Sequence, residues 1–294
     1  MEKREYHFFE ADCIKGLKRI DENSVDVVVT SPPYNIGLKY KSYDDNLEAD
    51  EYIQWSVEWM NAVFRVLKPE GSLFLNLGAA PSNQLMPHQV ALEFSKYLKL
   101  QNTFHWIKSI SVETTEGEVV TSGHFKPINS RRFVTDCHEY VFHFTKNGSV
   151  ELDRLSIGVP YKDKSNIGRW KHTSGSDKRC RGNTWFIPYK TIHRREIQRP
   201  HPATFPVQLA KNCYMLHGID ENTCALDPFV GLGNAAVAAY ECGINRFLGF
   251  DIEIDYLNYS QESIEERVLS SHDIDLAVHE RRDLERRFNI LASV

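Results

Sequence analysis

The sequence predicts an α/β protein with an open, mostly parallel sheet and helices on both faces. Short β-branched apolar runs alternate with helical periodicities, and a glycine-bearing loop separates one strand from the helix after it. The chain has 294 residues, 41% hydrophobic and 26% charged, enough to bury a sizeable core. No apolar run approaches the ~18 residues of a membrane span, so we expect no membrane association.

In the first half of the chain, the apolar run Val25–Thr30 predicts a buried parallel strand. It ends at Ser31-Pro32-Pro33-Tyr34, which predicts a rigid loop. Apolar residues at spacings of 4, 3, 4 and 3 from Ile53 to Leu67 predict an amphipathic helix that ends at Pro69-Glu70-Gly71. Further strands are predicted at Ser72–Leu77, Phe104–Lys108 and Tyr140–Thr145.

In the second half, a small-residue helix is predicted at Asn234–Cys242, between a strand around Thr223–Leu226 and another at Arg246–Phe250. Regular structure also covers Phe205–Leu216. The charged tail from Tyr259 onward has a helical pattern, so we expect a helical tail over residues 261–294.

The spacing of the cysteines indicates the redox compartment of the protein, and the distribution of charge indicates which partners it could bind. The six cysteines form no CxxC pair, which argues against a zinc ribbon or a disulfide scaffold and favours a reduced, cytoplasmic protein. Residues 146–199 hold 13 Lys and Arg against five Asp and Glu, a local charge of +8 in a chain of net charge −5. Charge alone leaves open a nucleic-acid surface or a solvated loop. The segment also holds aromatic residues that could stack or pack: Tyr161, Trp170, Trp185, Phe186 and Tyr189.

The loop Gly231-Leu232-Gly233-Asn234-Ala235-Ala236 matches G-x-G-x-x-A between a predicted strand and helix. Asp251 follows near the end of the next strand, where an acid can accept both ribose hydroxyls. The pattern predicts nucleoside binding, although a tight turn would give the same glycines. It does not separate NAD from S-adenosylmethionine, and the usual third glycine is missing.

The Thr30–Tyr34 loop predicts a site for a planar ligand with an exocyclic amine. Two prolines fix φ and remove two N–H donors, so the Ser31 and Pro32 carbonyls are held as acceptors. A ring stacked on Tyr34 would direct its amino protons at Ser31 Oγ and the Pro32 carbonyl, which localises the nitrogen lone pair for attack. The alternative is an ordinary Pro-Pro turn.

Three stretches together resemble the DNA amino-methyltransferases: Ser31-Pro32-Pro33-Tyr34, Asp227–Gly233 and His201–Pro206. Their order is similar to the β group, with the catalytic loop first and the cofactor loop late, and the stretch from His138-Glu139-Tyr140 to Lys146 is also family-like. The resemblance implies a Rossmann-like methyltransferase fold with an inserted recognition region. We therefore divide the chain into a catalytic portion (1–148), a target-recognition insertion (149–200), a cofactor-binding portion (201–260) and a tail (261–294).

The resemblance implies S-adenosyl-L-methionine as cofactor, S-adenosyl-L-homocysteine as product and no metal. The implied catalytic residues are Ser31, Pro32, Pro33 and Tyr34. The implied cofactor contacts are Asp12 and Cys13 at the amino-acid and adenine ends, His201 and Thr204 at the carboxylate, Phe229 at the adenine, Gly231 and Gly233 at the closest approach, and Asp251 at the ribose. An alternative stays open for three of these residues. Asp12 could be a surface acid, Cys13 a buried small hydrophobic residue and His201 an exposed loop histidine. The family's loop often reads Gly-Ser-Gly-Thr, so Asn234 is a departure.

Ser31 at the start of the catalytic loop goes mostly with N4-cytosine targets in this family, which favours a site-specific cytosine-N4 methyltransferase over its N6-adenine alternative. A silent nucleic-acid-binding module and RNA or small-molecule methylation are the more distant alternatives. The implied partners are double-stranded DNA, a second copy in a homodimer and a cognate restriction endonuclease. Candidate DNA contacts in the basic insertion are Arg179, Arg181, Arg194 and Arg195.

Overall fold

A computed structural model describes residues 3–38, 42–43, 45–123, 129–169, 171–188, 204–268 and 274–281. Within them, nine strands form one sheet in the order β11-β1-β10-β9-β2-β3-β7-β4-β8. These strands are β1 Arg4–Glu10, β2 Val25–Thr30, β3 Leu67–Leu77, β4 Lys99–Ile107, β7 His138–Thr145, β8 Thr184–Phe186, β9 Cys224–Asp227, β10 Arg246–Asp251 and β11 Ile274–His279. Strands β5 Ser109–Glu113 and β6 Val119–Gly123 form a separate antiparallel hairpin.

Helices cover both faces of the sheet, which confirms the predicted fold class. These helices are α1 Cys13–Leu17, α2 Ala49–Val66, α3 Met86–Phe94, α5 Val207–His217, α6 Asn234–Cys242 and α7 Ile254–Glu265, and the short helix α4 Ser165–Arg169 buries no residue. One apolar core lies between the sheet and α1, α2 and α3, and a second lies between the sheet and α5, α6 and α7. Val28 of β2 packs in the first core, and its neighbours Val27 and Val29 pack in the second. No described helix is both long and apolar enough to cross a membrane.

Strand β2 lies between β9 and β3 and is parallel to both. Among the nine described strands of the sheet, β7 alone runs antiparallel to its neighbours. The carboxyl ends of β1, β10, β9 and β2 therefore meet at one edge of the sheet, although β2 and β9 are far apart in the sequence.

The predicted bounds of β2 and α6 are confirmed residue for residue. The end of α2 differs from the prediction, because the helix stops at Val66 and β3 begins at once with Leu67. Pro69-Glu70-Gly71 lies inside that strand. A register shift, from Val25 opposite Leu67 to Val27 opposite Ser72, accommodates the extra residues.

The helical tail is wrong for Ile274–His279, which forms strand β11. Parallel pairing with β1 supplies the backbone hydrogen bonds, and Ile274, Leu276 and Val278 pack on the second core. Helix α7 also continues across the proposed boundary at residue 260.

The segment 149–200, predicted as an inserted recognition region, also contributes a strand to the main sheet. Strand β8 pairs with β4, and Trp185 in it is fully buried. The Trp185 ring stacks on Phe104 at a centroid distance of 4.4 Å, so this aromatic packs in the core and does not offer a face to a nucleobase. Trp170 and Tyr189 lie outside the described residues.

Two histidines are built into the second core as neutral groups. His143 Nε2 and His217 Nδ1 both lie 3.0 Å from Ser72 Oγ, and Asn102 Nδ2 lies 3.0 Å from His143 Nδ1. Burial lowers the pKa of His143 to about 3 and also lowers the pKa of His217. The chain of hydrogen bonds therefore satisfies these buried polar atoms without charge.

Candidate active site

A cleft of about 200 Å³ opens at the carboxyl edge of the sheet. Its walls come from the residues that follow β1, β10, β9 and β2, where open α/β sheets bind ligands. Eight of the residues selected from the sequence line it: Asp12, Cys13, Ser31, Pro32, Pro33, Tyr34, Phe229 and Asp251. The predicted catalytic loop and the predicted cofactor loop thus face a single space.

A buried hydrogen bond joins the two loops at their base. Thr30 Oγ1, at the end of β2, donates to Asp227 Oδ1, at the end of β9, over 2.7 Å. Burial raises the pKa of Asp227 to about 7, against the opposing effect of the hydrogen bonds from Thr30 and from the Phe229 N–H. This contact fixes the relative position of two loops that are 197 residues apart.

The catalytic loop is held in shape from the side of α2. The buried Asp45 carboxylate accepts the backbone N–H groups of Asn35, Ile36 and Leu38 at 2.8–3.1 Å. Tyr52 Oη, on α2, donates to the Pro33 carbonyl over 2.7 Å. The loop is therefore preorganised by the protein.

Ser31 and Tyr34 belong to a hydrogen-bonded network that continues beneath the cleft. Ser31 Oγ lies 2.6 Å from Tyr34 Oη, which in turn donates to Glu139 Oε2 over 3.0 Å. Asn76 Nδ2 and Lys108 Nζ also bind the Glu139 carboxylate, each at 3.0 Å. Sequence reasoning assigned no role to Glu139; its only signal was the family-like stretch that contains it.

An aromatic wall limits the cleft on the side of the cofactor loop. The Phe229 ring packs against Trp55 and Trp59 of α2, with centroid distances of 5.6 and 5.3 Å. Trp55 itself lines the cleft, as does Tyr256 from α7. Such apolar faces suit a flat heteroaromatic ring. Neither Trp55 nor Tyr256 was predicted as a site residue, because the helical pattern around each also fits simple core packing.

Two acidic residues face the cleft at the end of β10. Asp251 accepts the Gly231 N–H over 3.1 Å and the Glu253 N–H over 2.9 Å, and burial raises the pKa of its carboxyl to about 6. The Glu253 side chain also lines the cleft, and its Oε1 atom is buried without a hydrogen-bond partner in the described part of the chain. An unpaired buried acceptor is costly, so Glu253 is a candidate for a ligand hydroxyl that the sequence analysis missed.

The two loop glycines shape the backbone. Gly231 and Gly233 have φ of +49° and +78°, the left-handed region that favours glycine. A Cβ on Gly233 would lie only 2.8 Å from Ser260 Cβ on α7. Ser260 Oγ also donates to the Gly231 carbonyl over 2.7 Å. Gly233 is therefore required for close packing of the loop on α7, and the predicted contact of either glycine with a cofactor stays a prediction.

Asp12 and Cys13 occupy the turn after β1. Asp12 Oδ1 accepts the Lys15 N–H over 3.1 Å and so caps α1. Burial raises the pKa of the Cys13 thiol well above its usual value. Cys13 is thus a neutral, largely buried part of the cleft wall. This agrees with the alternative in which it packs as a small hydrophobic residue.

Asn234 shows what replaces the family's usual residue at the end of the cofactor loop. Its Nδ2 atom donates to the Phe205 carbonyl over 2.6 Å and ties the segment that contains Thr204 to the loop. Thr204 is not among the residues that line the cleft. His201 lies outside the described residues.

The basic insertion is described only up to residue 188, so Arg194 and Arg195 lie outside it. Arg179 and Arg181 are exposed. The Arg179 backbone pairs with Val159, and Arg181 Nε donates to the Ile157 carbonyl over 2.8 Å. Both residues thus help to hold the insertion together, and their predicted contact with DNA is not tested by this geometry.

Known proteins resemble this chain along most of its length. The type II methyltransferase M.HpaI of Haemophilus parainfluenzae is 27% identical over 273 residues, which cover 90% of this chain and 76% of the relative. The PvuII DNA methyltransferase (cytosine-N4-specific) has a similar structure, with a TM-score of 0.65, 19% identity and coverage of 99% and 96%. TTHA0409 of Thermus thermophilus, solved in complex with S-adenosyl-L-methionine, has a TM-score of 0.62, 21% identity and coverage of 94% and 98%.

The family of the chain is shown by a match to a family model, not by the similarity to these individual proteins. The DNA methylase family N6_N4_Mtase matches residues 25–262, from the first residue of β2 to the last turn of α7. The match includes the Ser31–Tyr34 loop, Glu139 and the cofactor loop. The chain belongs to the N6/N4 DNA methylase family.

Proposed function

We propose that the protein transfers a methyl group from S-adenosyl-L-methionine to the exocyclic N4 of a cytosine that is flipped out of double-stranded DNA. One observation carries the proposal: Ser31 Oγ, 2.6 Å from Tyr34 Oη, lines the same cleft as Phe229 and Asp251. Family membership supports methyl transfer to an exocyclic DNA amine. Similarity to M.HpaI supports a role in a type II restriction–modification system, with a restriction endonuclease as genetic partner.

The residues of the cleft fit the cofactor. Phe229 and Trp55 offer apolar faces for the adenine. Asp251 and Glu253 Oε1, which has no hydrogen-bond partner among the described residues, offer acceptors for ribose hydroxyls. Asp12 also lines the cleft, and its carboxylate would suit the ammonium group of the methionine part. When bound, S-adenosyl-L-methionine supplies an electrophilic methyl group on a sulfonium, and S-adenosyl-L-homocysteine is the product. Nothing in this chemistry calls for a metal.

The catalytic loop would grip the target base by its amine. Flipping costs ~ a few kcal/mol in unstacking and unpairing, and stacking on Tyr34 would recover about 1–3 kcal/mol. Ser31 Oγ and a backbone carbonyl of the loop would accept the two amino protons. These hydrogen bonds favour a pyramidal nitrogen with a localised lone pair, so positioning by the preorganised loop supplies most of the rate.

The choice of cytosine rests on Ser31, because a neutral hydroxyl serves the amine of a small pyrimidine. The family name covers both N6 and N4 products, so N6-adenine methylation is the competing assignment.

The test is to express the chain in a host without DNA methylation, digest the DNA to nucleosides and identify the modified base by mass spectrometry. We expect N4-methyldeoxycytidine from the native chain and none from Ser31→Ala. N6-methyldeoxyadenosine would overturn the base assignment, and unmodified DNA would overturn the function. Sequencing the same DNA with detection of modified bases would give the recognition site.

The DNA contacts and the assembly remain proposals. The basic segment, including the exposed Arg179 and Arg181, would face the DNA phosphates and bases. Replacing either arginine should weaken DNA binding without altering cofactor affinity. A homodimer is expected by resemblance, and sedimentation of the free protein would test it.

A further inference from the structure

We infer that Glu139 is a positioning residue that sets the direction of the hydrogen bonds at the catalytic loop, so that Ser31 presents a lone pair to the amine of the target base. The inference rests on the proposed function, because it assigns a task within the same reaction. Glu139 Oε2 is 3.0 Å from Tyr34 Oη and 3.0 Å from Asn76 Nδ2, and Oε1 is 3.0 Å from Lys108 Nζ.

All three groups around Glu139 act as donors. A carboxylate opposite the Lys108 ammonium accepts hydrogen bonds and has no proton to give. The Glu139 side chain is only 14% exposed, so water competes little for these contacts. Tyr34 must therefore direct its single hydroxyl proton at Glu139.

This choice fixes the next hydrogen bond. With its proton committed to Glu139, Tyr34 Oη can only accept at the 2.6 Å contact with Ser31. Ser31 then donates its own proton to Tyr34, and the remaining lone pairs of Ser31 Oγ are available to the cleft. The amine of the target base donates protons, so it requires a Ser31 oxygen that accepts them, as in this arrangement.

The reverse polarity would weaken Ser31 as an acceptor, because the Tyr34 proton would occupy one of its two lone pairs. Without an acceptor at position 139, Tyr34 could donate to Ser31, and the Ser31 proton would turn toward the amine protons of the base. The backbone packs closely around the network, since a Cβ on Gly78 would lie 2.9 Å from Tyr34 Cε2 and 3.3 Å from Glu139 Cδ. The tyrosine therefore has little room to find another arrangement.

The experiment compares Glu139→Gln, Tyr34→Phe and the double variant, with Glu93→Gln as a matched control at a surface ion pair. A glutamine keeps the size of the side chain and one acceptor atom. With that oxygen on the Lys108 ammonium, its NH2 group faces Tyr34 Oη, which then has no acceptor at position 139. We expect Glu139→Gln to lower kcat by roughly 10–100-fold, the worth of a hydrogen bond to a charged group. We expect KM for DNA and cofactor affinity by calorimetry to stay close to those of the native protein, while Tm falls because Lys108 loses its ion-pair partner.

The double variant separates positioning from simple structural support. If Glu139 acts through the Tyr34 hydroxyl, Glu139→Gln costs nothing further in the Tyr34→Phe background. Additive losses, unchanged kcat, or loss of folding or cofactor binding in Glu139→Gln would each overturn the inference. Failure of the native protein to methylate DNA would instead overturn the proposed function, and the inference with it.

Discussion

The two ends of helix α6 allow the requirement for glycine in the cofactor loop to be measured. Gly233 precedes the helix and Gly243 follows it, with φ of +78° and +86°. Among the described residues other than its chain neighbours, no heavy atom lies within 4 Å of a Cβ added to Gly243, whereas a Cβ on Gly233 would lie 2.8 Å from Ser260 Cβ and 3.0 Å from Ser260 Cα. The pair thus shares its backbone conformation and differs in the space available.

Alanine at either position pays for a left-handed backbone, about 1–2 kcal/mol. At Gly233 the contact with α7 adds an overpacking cost of about 1–3 kcal/mol, because the nearest atoms include backbone. We therefore expect the free energy of unfolding to fall by about 2–5 kcal/mol in Gly233→Ala and by about 1–2 kcal/mol in Gly243→Ala. The gain from a stiffer unfolded chain is the same for both and cancels in the comparison.

Urea unfolding followed by circular dichroism would measure both variants, and the difference in midpoint at constant slope gives the difference in stability. We also expect Gly233→Ala to weaken cofactor binding, since a shifted loop moves Phe229. Equal losses in the two variants would refute the claim that close packing on Ser260 requires glycine at position 233.

Three further outcomes are expected. Ser31→Ala should lower kcat for methyl transfer while leaving cofactor affinity within about twofold by calorimetry; loss of cofactor binding in a folded variant would contradict the assigned role. Glu253→Gln should raise the Kd for S-adenosyl-L-homocysteine by roughly 10–100-fold, and the exposed Glu262→Gln should not; an unchanged Kd would exclude the ribose contact. Since the folded pKa of His143 lies near 3 and that of the unfolded chain near 6.5, the unfolded state binds the extra proton as the pH falls below about 6.5. The native protein should therefore lose stability relative to His143→Gln by up to about 1.4 kcal/mol per pH unit between about pH 6.5 and 4, measured by urea unfolding; parallel pH curves would contradict this.

Local patterns were enough for the elements whose causes are local. Strand β2 is a β-branched run that a Ser-Pro-Pro sequence ends, and α6 is a run of small residues that lies between left-handed glycines. Both were predicted with their bounds. The catalytic-loop residues and Asp251 were selected from the Ser-Pro-Pro-Tyr loop and from the acid that follows the glycine loop. The structure puts them in one cleft because the carboxyl ends of parallel strands meet at one edge of the sheet.

Contacts between distant segments could not be found in this way. Glu139 reaches Tyr34 across 105 residues, because β3 and β7 pair with Leu77 opposite Tyr140. No local pattern encodes that register. Strand β11 likewise forms because β1 offers an open edge, a tertiary cause that outweighs the helical pattern of the tail.

Because β2 lies between β3 and β9, its position affects how the chain folds while it is being synthesised on the ribosome. Its partner on one side, β3, follows soon after it, but Val28 meets Leu226 of β9 only after almost 200 further residues have been translated. At a translation rate of about 5–20 residues per second, one edge of this very apolar strand stays unpaired for roughly 10–40 s before β9 is synthesised. During that interval the nascent chain exposes an unpaired β-strand edge that can pair with other chains. We therefore expect chaperones to bind it.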